Sequence, residues 1–396
     1  MSKPSRVILM TAGDVSGDVH TAELARTLLA RDPSHSLHVL GGSRLQAAAL
    51  ESPGGQVLGN TTDCSAIGIH SAIQIYFRCW QLRSQLRQFL DQNHVDLAVL
   101  CDWGAFNGRI VHELHARGIP VLYYFPPRSW QQGGTSGLGI VPSVTRVATP
   151  FAWSAEQLRA AGCPAEWVGH PSVAKVRPPG ERAALRLRFG VQPEEKLVAL
   201  MPASRQTEIN VLAPRLAKAA ELVTAQRPVR FIAVLPHELA SEARARFPAS
   251  IPVVTDCATD LLLAADAAIV KTGTASLEAV LAGVPHLTVY DFSVPTRIEW
   301  LLLWAWKRIP FYAMPNIILQ REAIPELLGL KCQPDRIAAT VQCLLDDGPI
   351  RRQMLQDYEL VRRALGSELP TPATERTAEI VEEMLQAIAA PALAPA

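Results

Sequence analysis

Short aliphatic and β-branched runs alternate with longer segments of helical period along most of the chain. The predicted strands cover residues 7–11, 37–40, 96–101, 120–125, 197–201, 231–235, 252–254, 267–270 and 286–290. The predicted helices between them cover residues 19–30, 108–117, 208–226, 276–282 and 335–345. This alternation is typical of parallel sheets joined by right-handed helical crossovers, so we predict an α/β fold.

A stretch rich in proline and glycine at residues 169–180 interrupts the alternation, and a new strand follows it. We therefore predict one Rossmann-like domain at residues 1–172 and a second at 173–346. Two further helices, at 350–365 and 374–389, and an Ala/Pro tail form a predicted C-terminal segment at 347–396. Two such domains facing a cleft would hold a ligand at the carboxyl ends of both sheets.

Composition excludes several classes of protein. The 396 residues carry 38 Lys and Arg against 37 Asp and Glu, so the net charge of +1 gives no electrostatic reason to expect a nucleic-acid partner. The seven cysteines never form a C-x-x-C pair, which argues against a disulfide framework and against a zinc site. The residues before the first strand are too few for a signal peptide, so we expect a cytoplasmic protein.

The first predicted strand leads into the loop A-G-D-V-S-G-D at residues 12–18. Glycine allows a ligand to approach the backbone closely, and the following helix offers free N–H groups. Two aspartates suit a sugar or a cationic group better than a phosphate, so Gly13, Ser16 and Asp18 are candidate ligand-binding residues. Alternatively, Ser16 and Asp18 only cap the helix.

The loop V-K-T-G-T-A-S-L-E at residues 270–278 has the same strand–loop–helix form. Thr272, Gly273 and Thr274 can bind a pyrophosphate at the helix start, and Glu278, one turn later, can bind a ribose diol. This pairing indicates a nucleoside-diphosphate site. The alternative is that Thr274 caps the helix and that Glu278 only belongs to the charge pattern of its first turn.

Two more charged residues follow buried strands. Arg205, in the segment L-M-P-A-S-R-Q-T-E at residues 200–208, can bind a phosphate through two hydrogen bonds, unless it is an ordinary surface arginine. Glu208 then opens the next helix. Asp102, in L-C-D-W-G-A-F-N at residues 100–107, can accept a proton from an attacking hydroxyl or can cap a helix.

Two apolar patches also carry tryptophan and basic residues. One lies at residues 298–308, with Trp300 and Trp304 one turn apart, and the other at residues 69–90, with Phe77 and Trp80. Each is compatible with a core-facing helix, but together they suggest peripheral contact with a membrane. Neither is long enough to span one as an unbroken apolar run.

Seven motifs, taken in order, resemble the lipid-A-disaccharide synthase family of GT-B glycosyltransferases over nearly the whole chain. They lie at residues 12–18, 101–107, 169–171, 201–208, 272–278, 315–316 and 325–328. The resemblance implies inverting transfer, without metal or cofactor, of a diacylated glucosamine from UDP to an acylated glucosamine 1-phosphate. It also implies a cytoplasmic enzyme located peripherally on the inner membrane.

The resemblance assigns residues to each substrate. Asp102 becomes the candidate catalytic base, and Asn107 joins Gly13, Ser16 and Asp18 on the acceptor side. The implied donor-binding residues are Arg205, Glu208, Thr272, Gly273, Thr274, Glu278, Asn316 and Glu326.

Departures from the family pattern are concentrated in the first half. Asp14 replaces a glutamate, Gly104 and Ala105 replace a proline and an aspartate, and Ala152 replaces a glutamate. In that half the sequence 130–132 also differs, and in the second half Asp291 and Gly329 differ. Three alternatives therefore stay open: transfer to a different lipid acceptor, a UDP-GlcNAc 2-epimerase, and a catalytically silent paralogue that binds a nucleotide sugar.

Overall fold

The computed structural model describes residues 5–61, 69–127, 138–175, 182–203, 205–291 and 310–389. They form two compact units. The first contains the described residues up to Ala174 and those from Leu365 onward, and the second contains those from Lys175 to Ala364. Both units are α/β, as the alternation predicts.

Seven parallel strands form the sheet of the first unit, in the order β3-β2-β1-β4-β5-β6-β7. They are β1 (Val7–Ala12), β2 (Ser36–Gly41), β3 (Gln56–Asn60), β4 (Leu97–Cys101), β5 (Val121–Tyr124), β6 (Arg146–Thr149) and β7 (Ala165–Trp167). The helices are α1 (Val15–Arg31), α2 (Ser43–Leu50), α3 (Ile69–Gln92), α4 (Gly104–Ala116) and α5 (Ala152–Ala160). Ile8 and Met10 pack on one face of the sheet and Leu9 on the other, so both faces are covered.

Six parallel strands form the sheet of the second unit, in the order β10-β9-β8-β11-β12-β13. They are β8 (Lys196–Met201), β9 (Val229–Leu235), β10 (Val253–Thr255), β11 (Ala267–Lys271), β12 (His286–Tyr290) and β13 (Glu326–Leu328). Its helices are α6 (Arg182–Arg188), α7 (Gln206–Thr224), α8 (Ala240–Arg246), α9 (Ala258–Ala264), α10 (Ala275–Leu281), α11 (Met314–Leu319), α12 (Pro334–Leu345) and α13 (Pro349–Ala364).

Four strands were not predicted: β3, β6, β7 and β13. β3 is half exposed, β6 has four residues and begins with an arginine, and β7 and β13 have only three residues each. Short or exposed strands lack the apolar run on which a sequence-based assignment depends. Pairing with a neighbouring strand, which the sequence does not display, makes them part of the sheets.

The predicted C-terminal segment 347–396 does not form a unit of its own. Helix α13 belongs to the second unit, where the buried Tyr358 hydroxyl donates to the carbonyl oxygen of Val284 at 3.1 Å. The chain divides again at Leu365, and the last helix, α14 (Ala373–Ala389), packs on α1 in the first unit. The first division lies at Ala174 rather than after residue 172.

Helix α14 attaches to the first unit mainly through apolar side chains. Ile380 and Val381 are fully buried in the cluster that also covers β1. Around this contact, Arg31 pairs with Glu375 and Glu382, each at 3.0 Å. Such partly exposed ion pairs contribute little each, so the buried side chains account for most of the attachment.

Truncation of a buried side chain in α14 tests this attachment. We expect Ile380→Ala to lower the free energy of unfolding by about 2–5 kcal/mol, because it leaves a cavity beside β1. The matched control is Ile388→Ala on the same helix, where 42% of the residue is exposed; it should cost about 0.5 kcal/mol or less. Urea unfolding, with hydrogen exchange of the β1 amides, measures both. Equal effects of the two variants would contradict the assignment.

Candidate functional site

The strand order reverses at one place in each sheet. In the first sheet the reversal lies between β1 and β4, and Ala12 pairs with Cys101. In the second it lies between β8 and β11, and Met201 pairs with Val270. At such a switch point the loops leave in opposite directions and open a crevice at the carboxyl ends of the strands, which is where α/β proteins bind ligands. Each unit therefore has one candidate site, and the predicted loops line both.

Asp102 lies in a strained turn at the first switch point. Its φ is 42° and that of Trp103 is 45°, both in the left-handed region that non-glycine residues rarely adopt. Its backbone N–H donates to the carbonyl oxygens of Tyr124 and Phe125 at 3.2 and 3.1 Å, and its own carbonyl oxygen accepts from the Tyr123 hydroxyl at 2.6 Å. These bonds hold the turn in an unfavourable conformation, as is common at functional sites.

Asn107 supports the same turn from inside the unit. Its side-chain amide donates to the carbonyl oxygens of Cys101 and Asp102 at 3.1 and 2.9 Å, and its Oδ1 accepts from the Thr11 hydroxyl at 2.9 Å. The residue is fully buried. Asn107 therefore joins β1 to the turn that carries Asp102, and its polar atoms are occupied within the protein.

The environment of Asp102 favours a carboxyl group that exchanges protons near neutrality. Burial by the surrounding protein raises its pKa to about 6, the charge of Asp14 contributes second, and a backbone hydrogen bond at Trp103 opposes both. The residue nevertheless stays accessible to solvent. The raised pKa thus reflects protein atoms crowded beneath and around the carboxylate rather than complete removal from water, and a substrate hydroxyl can still approach.

The loop after β1 is shaped by Trp103 and Asp14. A Cβ on Gly13 would lie 2.0 Å from the Trp103 ring, so only glycine fits there. Asp14, rather than Ser16 or Asp18, caps α1: its carboxylate accepts from the Gly17 N–H at 2.8 Å and from the Ser16 hydroxyl at 2.6 Å. Gly13 and Ser16 are thus both at the switch point, where they shape and orient the loop.

Asp18 does cap a helix, but a different one from that expected. It is buried, and its carboxylate accepts from the backbone N–H groups of Arg44 and Leu45 at 3.1 and 3.2 Å, at the start of α2. Burial raises the pKa of Asp18, and these hydrogen bonds oppose that effect. Asp18 therefore serves as a cap for α2 inside the first unit.

In the second unit, Arg205 and Glu208 differ in their surroundings. Arg205 is half-buried at the N-cap of α7, and no ion pair joins its guanidinium to a carboxylate among the residues that the structure describes. Glu208 is 6% exposed, and its Oε1 lies 2.9 Å from Nζ of Lys271, the last residue of β11. The two loops of the switch point are thus joined by a nearly buried ion pair.

The loop after β11 presents backbone donors. Gly273 has a φ of 134°, which strongly favours glycine. In the described part of the chain, no protein acceptor pairs with the backbone N–H groups of Gly273, Thr274 and Ala275. Thr272 and Thr274 are half-exposed beside these groups, and Glu278 is half-exposed one turn further on. Consecutive N–H groups of this kind form an anion-binding concavity.

Asn316 and Glu326, both expected at the donor site, bind each other. Asn316 is fully buried, and its amide donates to Glu326 at 2.8 Å and to the carbonyl oxygen of Ile324 at 2.9 Å. The Glu326 carboxylate also accepts from the backbone N–H of Ala313 at 2.9 Å, just before α11. These two residues hold the segment that enters α11.

The structure shows the surroundings of two departures from the family pattern. Asp291 is 4% exposed and lies 2.6 Å from Arg215 of α7, so its charge is balanced inside the unit. Ala152 is the first residue of α5, whose N-cap residue, Phe151, makes no side-chain capping bond. Residues 130–132 and the side chain of Ala105 lie outside the described residues.

Two residues of these sites, Asp14 and Lys271, were not predicted from the sequence. Asp14 was present in the first motif, but its effect on Asp102 follows from the pairing of β1 with β4. Lys271 lies within the motif at residues 270–278. Its position as the last residue of a buried strand was the one sign in the sequence that it could belong to a site.

The described part of α3 exposes an aromatic patch, defined by Tyr76, Phe77 and Trp80, which are 57%, 61% and 63% exposed. The other predicted patch, at residues 298–308, lies outside the described residues. Within the described ranges, no helix is long and apolar enough to cross a membrane, and no cluster of three or more His, Cys, Asp or Glu is suited to hold a metal ion.

Solved structures share this architecture. A UDP-glucosyltransferase from Polygonum tinctorium has a TM-score of 0.60 at 13% identity, with 97% of this chain and 99% of that chain covered. A UDP-GlcNAc 2-epimerase from Neisseria meningitidis has a TM-score of 0.59 at 10% identity, with 96% and 100% covered. At such low identities the likeness concerns the fold alone, which is GT-B.

Sequence comparison is more specific. A family model described as lipid-A-disaccharide synthetase matches residues 8–381. A lipid-A-disaccharide synthase of Myxococcus xanthus is 34% identical over 391 residues, with 97% of this chain and 99% of the relative covered. The match extends through both units and all four switch-point loops. The chain therefore belongs to the lipid-A-disaccharide synthase family, whose members are hexosyltransferases of lipid A biosynthesis.

Proposed function

We propose that the protein transfers a diacylated glucosamine from UDP to an acylated glucosamine 1-phosphate with inversion at the transferred carbon. One observation carries the proposal: the family's charged and glycine-rich motifs lie at the switch points of both sheets. The second unit offers anion-binding groups, and the first offers a carboxylate whose pKa of about 6 suits a general base.

The donor half of the mechanism uses the second unit. The N–H groups of Gly273 and Thr274 and the guanidinium of Arg205 bind the pyrophosphate, and Glu278 binds the ribose diol. As the bond between the sugar C1 and the β-phosphate oxygen breaks, UDP leaves with the electron pair. The N–H groups and Arg205 then stabilise the charge that develops on the β-phosphate.

The acceptor half uses Asp102. Its carboxylate takes the proton of the attacking acceptor hydroxyl, whose oxygen forms the new bond to C1 from the face opposite UDP, so the configuration at C1 inverts. Asn107 and the strained backbone hold the carboxylate at the switch point. Gly13, in the loop after β1, and Ser16, in the first turn of α1, shape the acceptor side of the site beside Asp102.

The base is tested by Asp102→Asn. We expect UDP release from UDP-diacylglucosamine in the presence of acylated glucosamine 1-phosphate to slow by about 10²–10⁴-fold, the usual contribution of a general base. Binding of UDP should stay as in the wild type, because the donor loops belong to the other unit. A variant within a few-fold of wild-type turnover would remove Asp102 from this role. Wild type that binds UDP without any transfer would instead identify a silent paralogue.

The pH dependence tests the electrostatic environment of the base. Since Asp102 must be ionised to accept a proton, kcat/KM should rise with pH through a midpoint near 6. Asp14→Asn should move this midpoint to lower pH, because it removes the neighbouring negative charge that helps to raise the pKa of Asp102. Asparagine caps a helix as well as aspartate, so α1 is preserved. An unchanged midpoint in this variant would contradict the coupling.

We also propose that the enzyme works peripherally on the cytoplasmic face of the inner membrane, where its acylated substrates reside. The aromatic patch of α3 supports this, since three large exposed rings suit a lipid–water interface. Arg78 lies among them and reaches the carbonyl oxygen of Asn60 at 3.2 Å.

Vesicle flotation tests the patch. Phe77→Ser combined with Trp80→Ser should reduce the fraction of protein that floats with vesicles of phosphatidylethanolamine and phosphatidylglycerol. Leu187→Ser is the control, because Leu187 is an apolar residue that is 80% exposed and belongs to the other unit. Equal flotation of wild type and the double variant would argue against membrane contact through α3.

A further inference from the structure

The ion pair between Lys271 and Glu208 lies at the switch point of the second sheet. It joins the end of β11 to the first turn of α7, with 2.9 Å between Nζ and Oε1. The side chains are only 19% and 6% exposed. A nearly buried pair of this kind adds little net stability compared with apolar side chains of similar size, because both charges must be desolvated. A gain in stability therefore does not explain why this ion pair is present.

Glu208 stands three residues after Arg205, and the backbone N–H of Glu208 donates to the carbonyl oxygen of Arg205 at 3.2 Å. Both charges act on the Tyr290 hydroxyl: burial raises the pKa of Tyr290, Glu208 raises it further, and Arg205 lowers it. The carboxylate and the guanidinium therefore both lie within electrostatic range of one phenol. Residues separated by three positions at a helix start can form an ion pair.

Glu208 nevertheless pairs with Lys271, while Arg205 has no carboxylate partner in the described part of the chain. We propose that Lys271 is a positioning residue for the nucleoside-diphosphate site: by binding Glu208, it keeps the guanidinium of Arg205 available for the pyrophosphate. This rests on the proposed donor site and changes the role expected for Glu208, which becomes a partner of Lys271 rather than a contact of the nucleotide.

Two consequences separate this role from direct phosphate binding by Lys271. Without Lys271, the Glu208 carboxylate would pair with Arg205 and would also repel the diphosphate, so nucleotide affinity would fall. Without both charges, nothing would compete for Arg205, and the affinity would return. If Lys271 instead contacted the phosphate directly, nucleotide affinity would fall both without Lys271 alone and without both charges.

Isothermal titration of the full chain with UDP tests the proposal, using Lys271→Met, Glu208→Gln and the double variant. We expect Lys271→Met to weaken UDP binding by about 10–100-fold, the usual size of a charge-assisted hydrogen bond. Glu208→Gln should bind UDP within about threefold of the wild type or more tightly, and the double variant should lie within about threefold of Glu208→Gln. The control replaces the exposed pair of Lys218 and Glu221 on the same helix, and should change nothing.

A double variant as weak as Lys271→Met would overturn the proposal and make Lys271 a direct phosphate ligand. A loss of about tenfold or more in Glu208→Gln would overturn it in favour of a nucleotide contact by Glu208. Lys271→Met leaves a buried carboxylate unpaired, and if it does not fold, the comparison of Glu208→Gln with the double variant decides alone. Wild type that binds UDP but transfers no sugar contradicts the proposed function and leaves this test intact.

Discussion

The direct pairing of β1 with β4, and of β8 with β11, is the constraint on which both candidate sites depend. Because the chain adds later strands on opposite sides of each pair, neighbouring loops diverge and leave a crevice at the carboxyl edge. Residues ninety positions apart, such as Gly13 and Trp103, come into contact there. Each sheet thereby collects its chemically active side chains at one point, although they are scattered along the sequence.

The two sites use their charges differently. In the first unit, two carboxylates are brought together, and the charge of Asp14 reinforces the effect of burial on the pKa of Asp102. In the second unit, Lys271 balances Glu208 and leaves Arg205 without a carboxylate partner among the described residues. A neighbouring like charge raises the pKa of a carboxyl group, whereas a paired acid leaves a cation available to an anion. Both arrangements suit the transfer of a sugar away from a diphosphate.

Departures from the family pattern weigh less against activity once their surroundings are considered. The charge of Asp291 is compensated by Arg215 inside the second unit, so it does not oppose an anionic ligand as an unpaired carboxylate would. Asp14 keeps the carboxylate of the glutamate it replaces and uses it to cap α1. The residues that hold Asp102, above all Asn107, are present and fully satisfied.

The sequence by itself determined the α/β class and the strands that supply the candidate sites, because long buried strands and glycine-containing loops have local signatures. It also predicted site roles for Asp102, Arg205 and the loop at residues 272–274, which lie at the switch points of the two sheets. Only the tertiary structure decided what surrounds them. The ion pair of Lys271 with Glu208, the burial of Asn316 and the attachment of α14 to the first unit depend on contacts between distant segments. Local patterns carry no information about such contacts, since strand order and helix packing are set by the chain as a whole.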